Sequence, residues 1–250
     1  MEIIRLILMP FWKLWFVLVF VISFLLLYPF FWLALTFQKL EAAFTLKKVW
    51  AFIIAYGSGI IPDIRYSHKK YTLPKTCIIA PNHTSYLDIC LSALYIKHLA
   101  LYMGKAELLR VPLFGIFFRK MDIPVNRSSR MDSHKAFTAA GVALDKGQSM
   151  VIYPEGTISN NGHLRPFKNG AFKLAIEKQV PVVPVVNVNN WKLLQNGGFF
   201  KSFGRPGIAT IIIHDPIPTK GMTEENLVDL REKVHRIIQK TLEEYNGSKN

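Results

Sequence analysis

The sequence predicts an α/β protein: a mixed, mostly parallel sheet flanked by helices and preceded by a hydrophobic helical anchor. Three observations carry this. From Thr76 onward, short apolar runs alternate with stretches of helical length, the pattern of strands covered by helices. A 25-residue run without a charge, Leu14 to Gln38, comes before them. The chain has 250 residues, enough for one sizeable α/β unit with a short appendage. We therefore expect membrane-anchoring helices over residues 1–58 and an α/β domain over 59–250.

The N-terminal run is rich in aromatics, among them Trp15, Phe16, Phe24, Tyr28 and Trp32. As one helix it would extend about 37 Å, against a hydrocarbon core of about 30 Å. Pro29 is expected to split it into 15 and nine residues, and neither half spans alone. Arg5 and Lys13 precede the run while Lys39, Lys47 and Lys48 follow it. Similar charge on both sides is what a re-entrant hairpin would show, but it does not exclude a span. The run is too long for a signal peptide and has no small-residue cleavage site, so a retained anchor is expected.

Glu41 to Tyr56 reads as a helix ending near Gly57-Ser58-Gly59, and a basic connection with His68, Lys69 and Lys70 follows. Strands are expected at Cys77–Ala80, Ala100–Met103, Met150–Tyr153, Val182–Val188 and Ala209–His214. Helices are expected at Ile89–Ile96, Pro112–Arg119, Met131–Asp145 and Gly170–Glu177. The last helix begins with Thr223 as N-cap and Glu224 and Glu225 in the first turn, and sets Leu227, Leu230, Val234, Ile237 and Thr241 on one face.

Half of the residues are hydrophobic and 19% are charged, a globular composition. The formal charge of +14 suits an anionic partner: nucleic acid, a phospholipid surface or a phosphorylated substrate. Zinc-finger spacing, a basic region with heptads and a ribonucleoprotein signature are all missing from the sequence. Membrane phospholipid is therefore the expected partner, and nucleic acid is not. Cys77 and Cys90 lie in apolar surroundings without ligand spacing and are expected to be buried free thiols.

Three clusters could carry chemistry. Asn82-His83-Thr84-Ser85-Tyr86-Leu87-Asp88 follows an apolar strand. His83 on the loop and Asp88 in the first turn of the next helix could form a base and the carboxylate that orients it. Ser85-x-x-Asp88 also matches a capping box. Tyr153-Pro154-Glu155-Gly156-Thr157 likewise follows a strand, and strand ends collect ligands in α/β sheets; it reads equally as a turn. Lys105 and Arg127 follow strands as well and could grip a phosphate from one sheet edge, or be solvated surface cations.

The order N-H-x-x-x-x-D, G-K-x-E-L, I-P-V-x-R, P-E-G-T and V-P-V-V-P-V (Val180 to Val185) resembles the glycerophospholipid acyltransferase family, most nearly its bacterial members that acylate 1-acylglycerol 3-phosphate. The resemblance covers roughly residues 77–186. It implies that His83 acts as general base on the free 2-hydroxyl of lysophosphatidic acid, with Asp88 orienting the ring. Lys105 and Arg127 would hold the phosphate, and Glu155, Gly156 and Thr157 would position the glycerol. The acyl group would come from acyl-CoA or acyl-carrier protein as co-substrate, and no cofactor or metal is expected. No G-x-S-x-G elbow offers a serine nucleophile. The family often has arginine after P-E-G-T where this chain has Ile158, and Arg165 or Lys168 are the available substitutes. The implied address is the bacterial cytoplasmic membrane, with the active site facing the cytoplasm. Two alternatives stay open: another acceptor, such as glycerol 3-phosphate or another lysophospholipid, and a non-catalytic protein that binds anionic lipid.

Overall fold

The computed structural model describes residues 2–67, 73–159 and 162–247. His68, Lys69 and Lys70 of the expected basic connection lie outside them. The elements run α1 (Glu2–Thr36), α2 (Leu40–Gly57), β1 (Ile60–Tyr66), β2 (Ile78–Pro81), α3 (Leu87–Tyr95), β3 (Ala100–Lys105), α4 (Ile116–Lys120), β4 (Ile123–Val125), α5 (Arg130–Asp145), β5 (Ser149–Val151), α6 (Gly170–Glu177), β6 (Val182–Asn187), α7 (Asn190–Leu193), β7 (Gly207–Ile213) and α8 (Leu227–Gly247).

The strands form one sheet in the order β1-β7-β6-β2-β5-β3-β4. Neighbours from β6 through β4 pair in parallel, β7 is antiparallel to β6, and β1 is parallel to β7. The sheet is therefore mixed and mostly parallel, as expected. The carboxyl ends of β2, β5, β3 and β4 all open on the same edge. β6 is flanked on both sides: Val182 to Val185 run parallel to β2, and Val185 to Asn187 run antiparallel to β7.

Two strands, the short helix α7 and a 3-10 helix at Ala106–Arg110 went unpredicted. β1 carries Pro62, Asp63 and Arg65, and β4 carries Pro124. Both are edge strands, where proline and charge are tolerated because one side of the backbone needs no ladder partner. The expected helix over Pro112–Arg119 is helical only from Ile116, and it ends at Lys120. α7 is a single turn of four residues, too short to show periodicity.

Pro29 does not split the N-terminal helix. α1 runs unbroken through Pro10 and Pro29, about 52 Å at 1.5 Å per residue. Packing on both sides of Pro29 holds it in line: Phe24 and Phe31 each lie against Trp50 of α2 and Phe117 of α4, with ring centroids 4.9–6.2 Å apart. Met9, Phe16, Phe24, Phe31 and Leu35 are buried on this face, at helical spacings of seven, eight, seven and four. α2 then returns alongside α1. Its end meets the beginning of α1, where Trp12 Nε1 donates to the Ser58 carbonyl (2.8 Å) and Trp15 Nε1 to the Gly57 carbonyl (2.7 Å).

One contiguous buried cluster runs from Phe16 and Trp50 through the sheet to Val234 and Ile238. α8 buries Leu227, Leu230, Val234 and Thr241 as expected, with Ile238 on the same face and Ile237 partly buried. Its start is fixed by a capping box in which Asn226 Oδ1 accepts from the Thr223 N–H (2.8 Å).

Candidate active site

His83 sits on the loop after β2, and Asp88 lies in the first turn of α3. Their spacing works because the chain turns between them. His83 Nδ1 is 3.1 Å from Asp88 Oδ2. The same oxygen accepts the backbone N–H groups of Thr84 (2.6 Å) and Ser85 (2.8 Å). Capping and orienting are thus one arrangement: the carboxylate that satisfies the start of α3 also faces the imidazole. Asp88 is fully buried and His83 nearly so. With Nδ1 facing a carboxylate, the neutral ring carries its hydrogen there and leaves Nε2 as the basic nitrogen. Among the described residues Nε2 has no hydrogen-bond partner.

Three more contacts fix this loop. Asn82 and Asn187 clasp each other across β2 and β6: Asn187 N donates to Asn82 Oδ1 (2.7 Å), and Asn187 Nδ2 donates to the Asn82 carbonyl (2.9 Å). The His83 carbonyl accepts from Ser159 N (2.8 Å). The imidazole stacks on Tyr153 at 4.1 Å between centroids and 29° between planes.

Glu155 is buried behind the site rather than open to it. Its Oε1 accepts from His83 N (2.6 Å) and its Oε2 from Arg165 N (3.0 Å). Burial pushes its carboxyl up to about 7, and the two N–H bonds pull against that rise. Gly156 has φ +75, and a Cβ there would lie 3.0–3.2 Å from the outer carbons and Nζ of Lys168. The Lys168 side chain therefore crosses this glycine, and its ammonium stands at the P-E-G-T turn. Thr157 is half-buried beside it.

Lys105 ends β3, and register pairs it with Val125 of β4. Arg127, two residues further on, emerges next to it, and both are exposed. At about 4.8 Å per strand, Lys105 stands two strands (about 10 Å) and Arg127 three strands (about 14 Å) from the His83 loop. The structure thus brings His83, Asp88, Glu155, Gly156 and Thr157 together, with Lys105 and Arg127 farther along the same edge.

Asn190 was missed. It opens α7 and donates from Nδ2 to Asp88 Oδ1 (2.8 Å). The run Asn187-Val188-Asn189-Asn190 after a buried strand was the available signal.

Ser85 and the two cysteines are engaged or inert as nucleophiles, whereas the buried Thr84 hydroxyl has no hydrogen-bond partner among the described residues. Ser85 Oγ donates to the Leu194 carbonyl (2.6 Å) and accepts from Leu87 N (3.1 Å). Burial pushes the Cys90 thiol up to about 12 and that of Cys77 to about 11, and both are free cysteines. A histidine base on a buried carboxylate, set at the edge of a parallel sheet with cations along it, can take a proton from an alcohol.

A fold and site of this kind define an acyl-transfer enzyme class, and the comparisons agree. The acyltransferase family model matches residues 63–188. The chain belongs to this acyltransferase family. It is 34% identical over 200 residues to human 1-acyl-sn-glycerol-3-phosphate acyltransferase beta, covering 74% of this chain and 66% of that one. It is 32% identical to an uncharacterised acyltransferase of Schizosaccharomyces pombe, over 76% of this chain and 70% of that one. To the 1-acyl-sn-glycerol-3-phosphate acyltransferase of Haemophilus influenzae it is 29% identical, over 65% and 67%. The chain spans about half to two thirds of the length of these and similar curated relatives. The crystal structure of the 1-acyl-sn-glycerophosphate acyltransferase of Thermotoga maritima superposes with TM-score 0.77 over 98% of both chains at 22% identity; that likeness establishes the fold.

Proposed function

We propose that the chain transfers a fatty acyl group from an acyl thioester to the 2-hydroxyl of 1-acylglycerol 3-phosphate, giving phosphatidic acid for phospholipid synthesis. The observation that carries this is the buried His83–Asp88 pair with Nε2 left open, in a chain whose relatives are named for that reaction. His83 Nε2 takes the hydroxyl proton as the oxygen attacks the thioester carbonyl. The tetrahedral adduct collapses, the C–S bond breaks, and the imidazolium returns its proton to the leaving thiolate. No acyl-enzyme is needed, which fits the engagement of Ser85. Lys105 and Arg127 bind the acceptor phosphate, with Lys168 supplying the cation that Ile158 does not. Glu155 braces the loop through backbone bonds, and Gly156 and Thr157 shape the glycerol site. The donor is acyl-CoA or acyl-carrier protein.

The N-terminal helices, residues 1–58, are the membrane seat of the acyltransferase domain, 59–250. Leu8–Thr36 is long and apolar enough to cross a membrane. Its outward face exposes Leu14, Val17, Leu18, Ile22, Leu25, Leu26 and Phe30. The catalytic domain nevertheless flanks it from Lys13, which bonds the Phe199 carbonyl, to Phe31 against Phe117. That is about 27 Å of helix, nearly a bilayer core. A helix tied to a folded domain at both ends of that length lies in the interface rather than crossing it. This supports the re-entrant, monotopic arrangement; the use of an acyl thioester is what favours the cytoplasmic face of the inner membrane.

Purified protein assayed with lysophosphatidic acid and acyl-CoA, beside His83→Ala, tests the proposal. Loss of the base should cost about 10²–10⁴-fold in rate. Unchanged turnover in His83→Ala would sink it.

A further inference from the structure

We propose that the hairpin after α7 is a second membrane contact, with Phe199 and Phe200 inserting into a phospholipid bilayer beside the start of α1. This rests on the membrane seat of α1 proposed above.

The hairpin is built to present its tip. It is closed by a bridge between Leu194 and Gly204 and by bonds from Gln195 N to the Phe203 carbonyl (2.9 Å) and from Arg205 N to the Leu193 carbonyl (2.8 Å). Gly197 and Gly198, at φ +150 and +96, turn the chain in a conformation that other residues rarely adopt. Beyond them Phe199 is 38% and Phe200 77% exposed, their rings in edge contact at 5.1 Å. Two adjacent aromatics at a loop tip form an apolar point that water disfavours.

The tip is fastened to α1. Lys13, buried to 3% exposure, reaches out of the helix to donate to the carbonyls of Phe199 (2.8 Å) and Ser202 and to Ser202 Oγ (3.0 Å). Gly204 lies so close to the helix that a Cβ would stand 2.8 Å from Lys13 Cε and 3.1 Å from the Trp12 ring. Moving the hairpin off α1 would strand a buried ammonium. Around this joint α1 exposes Phe11 (67%), Leu14 (50%) and Trp15 (54%). The apolar surface therefore runs from the outward face of α1 to the tip, and exposed Lys201 follows the two rings as a cation suited to lipid phosphates. That shared surface selects a bilayer over a protein partner. The stem of the same hairpin supplies the Leu194 carbonyl to Ser85, and α7 just before it supplies Asn190 to Asp88. Seating the tip thus sets the dyad's loop against the leaflet.

Photocrosslinking of the full chain in phosphatidylethanolamine/phosphatidylglycerol vesicles tests this. Phe200→p-benzoylphenylalanine keeps an aromatic at the tip, Leu26→p-benzoylphenylalanine reports the α1 face, and Asp229→p-benzoylphenylalanine reports exposed α8. We expect lipid adducts at 200 and 26, each at least fivefold above 229. An adduct at 26 with none at 200 overturns the hairpin contact alone. No adduct at 26 overturns the membrane seat itself. Adducts at 200 no greater than at 229, or a crosslink from 200 to a second copy of the chain, also overturn the proposal.

Discussion

Asp88 is the most heavily used side chain at the site. Its Oδ2 gathers three donors, and its Oδ1 takes the Asn190 amide. Hydrogen bonds to a charged group contribute about 1.5–3 kcal/mol, roughly a tenfold or larger effect when the geometry they hold is catalytic. Asn190→Ala should therefore lower kcat by about tenfold or more with little change in acceptor KM; steady-state kinetics check it, and an unchanged kcat removes Asn190 from the machinery. Glu155 makes a different prediction. Its carboxyl is raised from 4.5 to about 7, chiefly by burial. The stability it contributes is therefore fully present below 4.5 and is lost as pH rises through about 7. Between pH 5 and pH 8 the wild type should lose melting temperature relative to Glu155→Gln, which is neutral throughout. A pH-independent difference between the two would contradict it. His83 and Asp88 were legible because five residues and one turn contain the whole interaction. Asn190 stands 102 residues from Asp88 and meets it only through the pairing of β6 with β2, which no local pattern displays. The bracing by Glu155 was not legible, because its partners are backbone N–H groups of other segments.

At the scale of elements, α2 ties α1 to the sheet. Lys47 Nζ lies 2.6 Å from Asp122 Oδ2 and over the rings of Tyr102 and Phe117 (4.8 and 5.0 Å), with both charged side chains nearly buried. Asp122 Oδ1 accepts from Tyr102 N (3.0 Å). Removing one partner of a buried pair leaves an uncompensated charge, at a cost of about 3–5 kcal/mol. Lys47→Met should lower the melting temperature by several degrees or more, and Lys47→Met/Asp122→Asn should recover part of the loss. Additive losses in the double variant would show that the two groups act separately. The strands with apolar runs and the long helices were visible in the sequence, as was the turn at Gly57-Ser58-Gly59. The edge strands were hidden by Pro62 and Pro124, and Pro29 misled because aromatic packing on both sides overrides its break.

For the whole molecule, α1 has two faces with separate tasks. The inward face belongs to the core, whereas Leu14, Leu18, Leu25 and Leu26 are 41–70% exposed. Replacing these four by Glu should release the protein from vesicles in a flotation assay while leaving its melting temperature in detergent within a few degrees. Retention on vesicles would show that other surfaces carry the anchoring. The charge of +14 pointed to an anionic surface from the start. Where that surface lies could not be read from the sequence, since it depends on which side of α1 the domain occupies.

The catalytic domain lies along one side of α1 instead of beyond its end, and this has a consequence for how the reaction is counted. On the seat and acceptor proposed above, the enzyme meets its acceptor by lateral diffusion within one leaflet, so the relevant abundance is a mole fraction in a surface, not molarity in a volume. Diluting lysophosphatidic acid with inert lipid at constant bulk concentration changes what such a catalyst experiences, whereas diluting the vesicles with buffer changes it little.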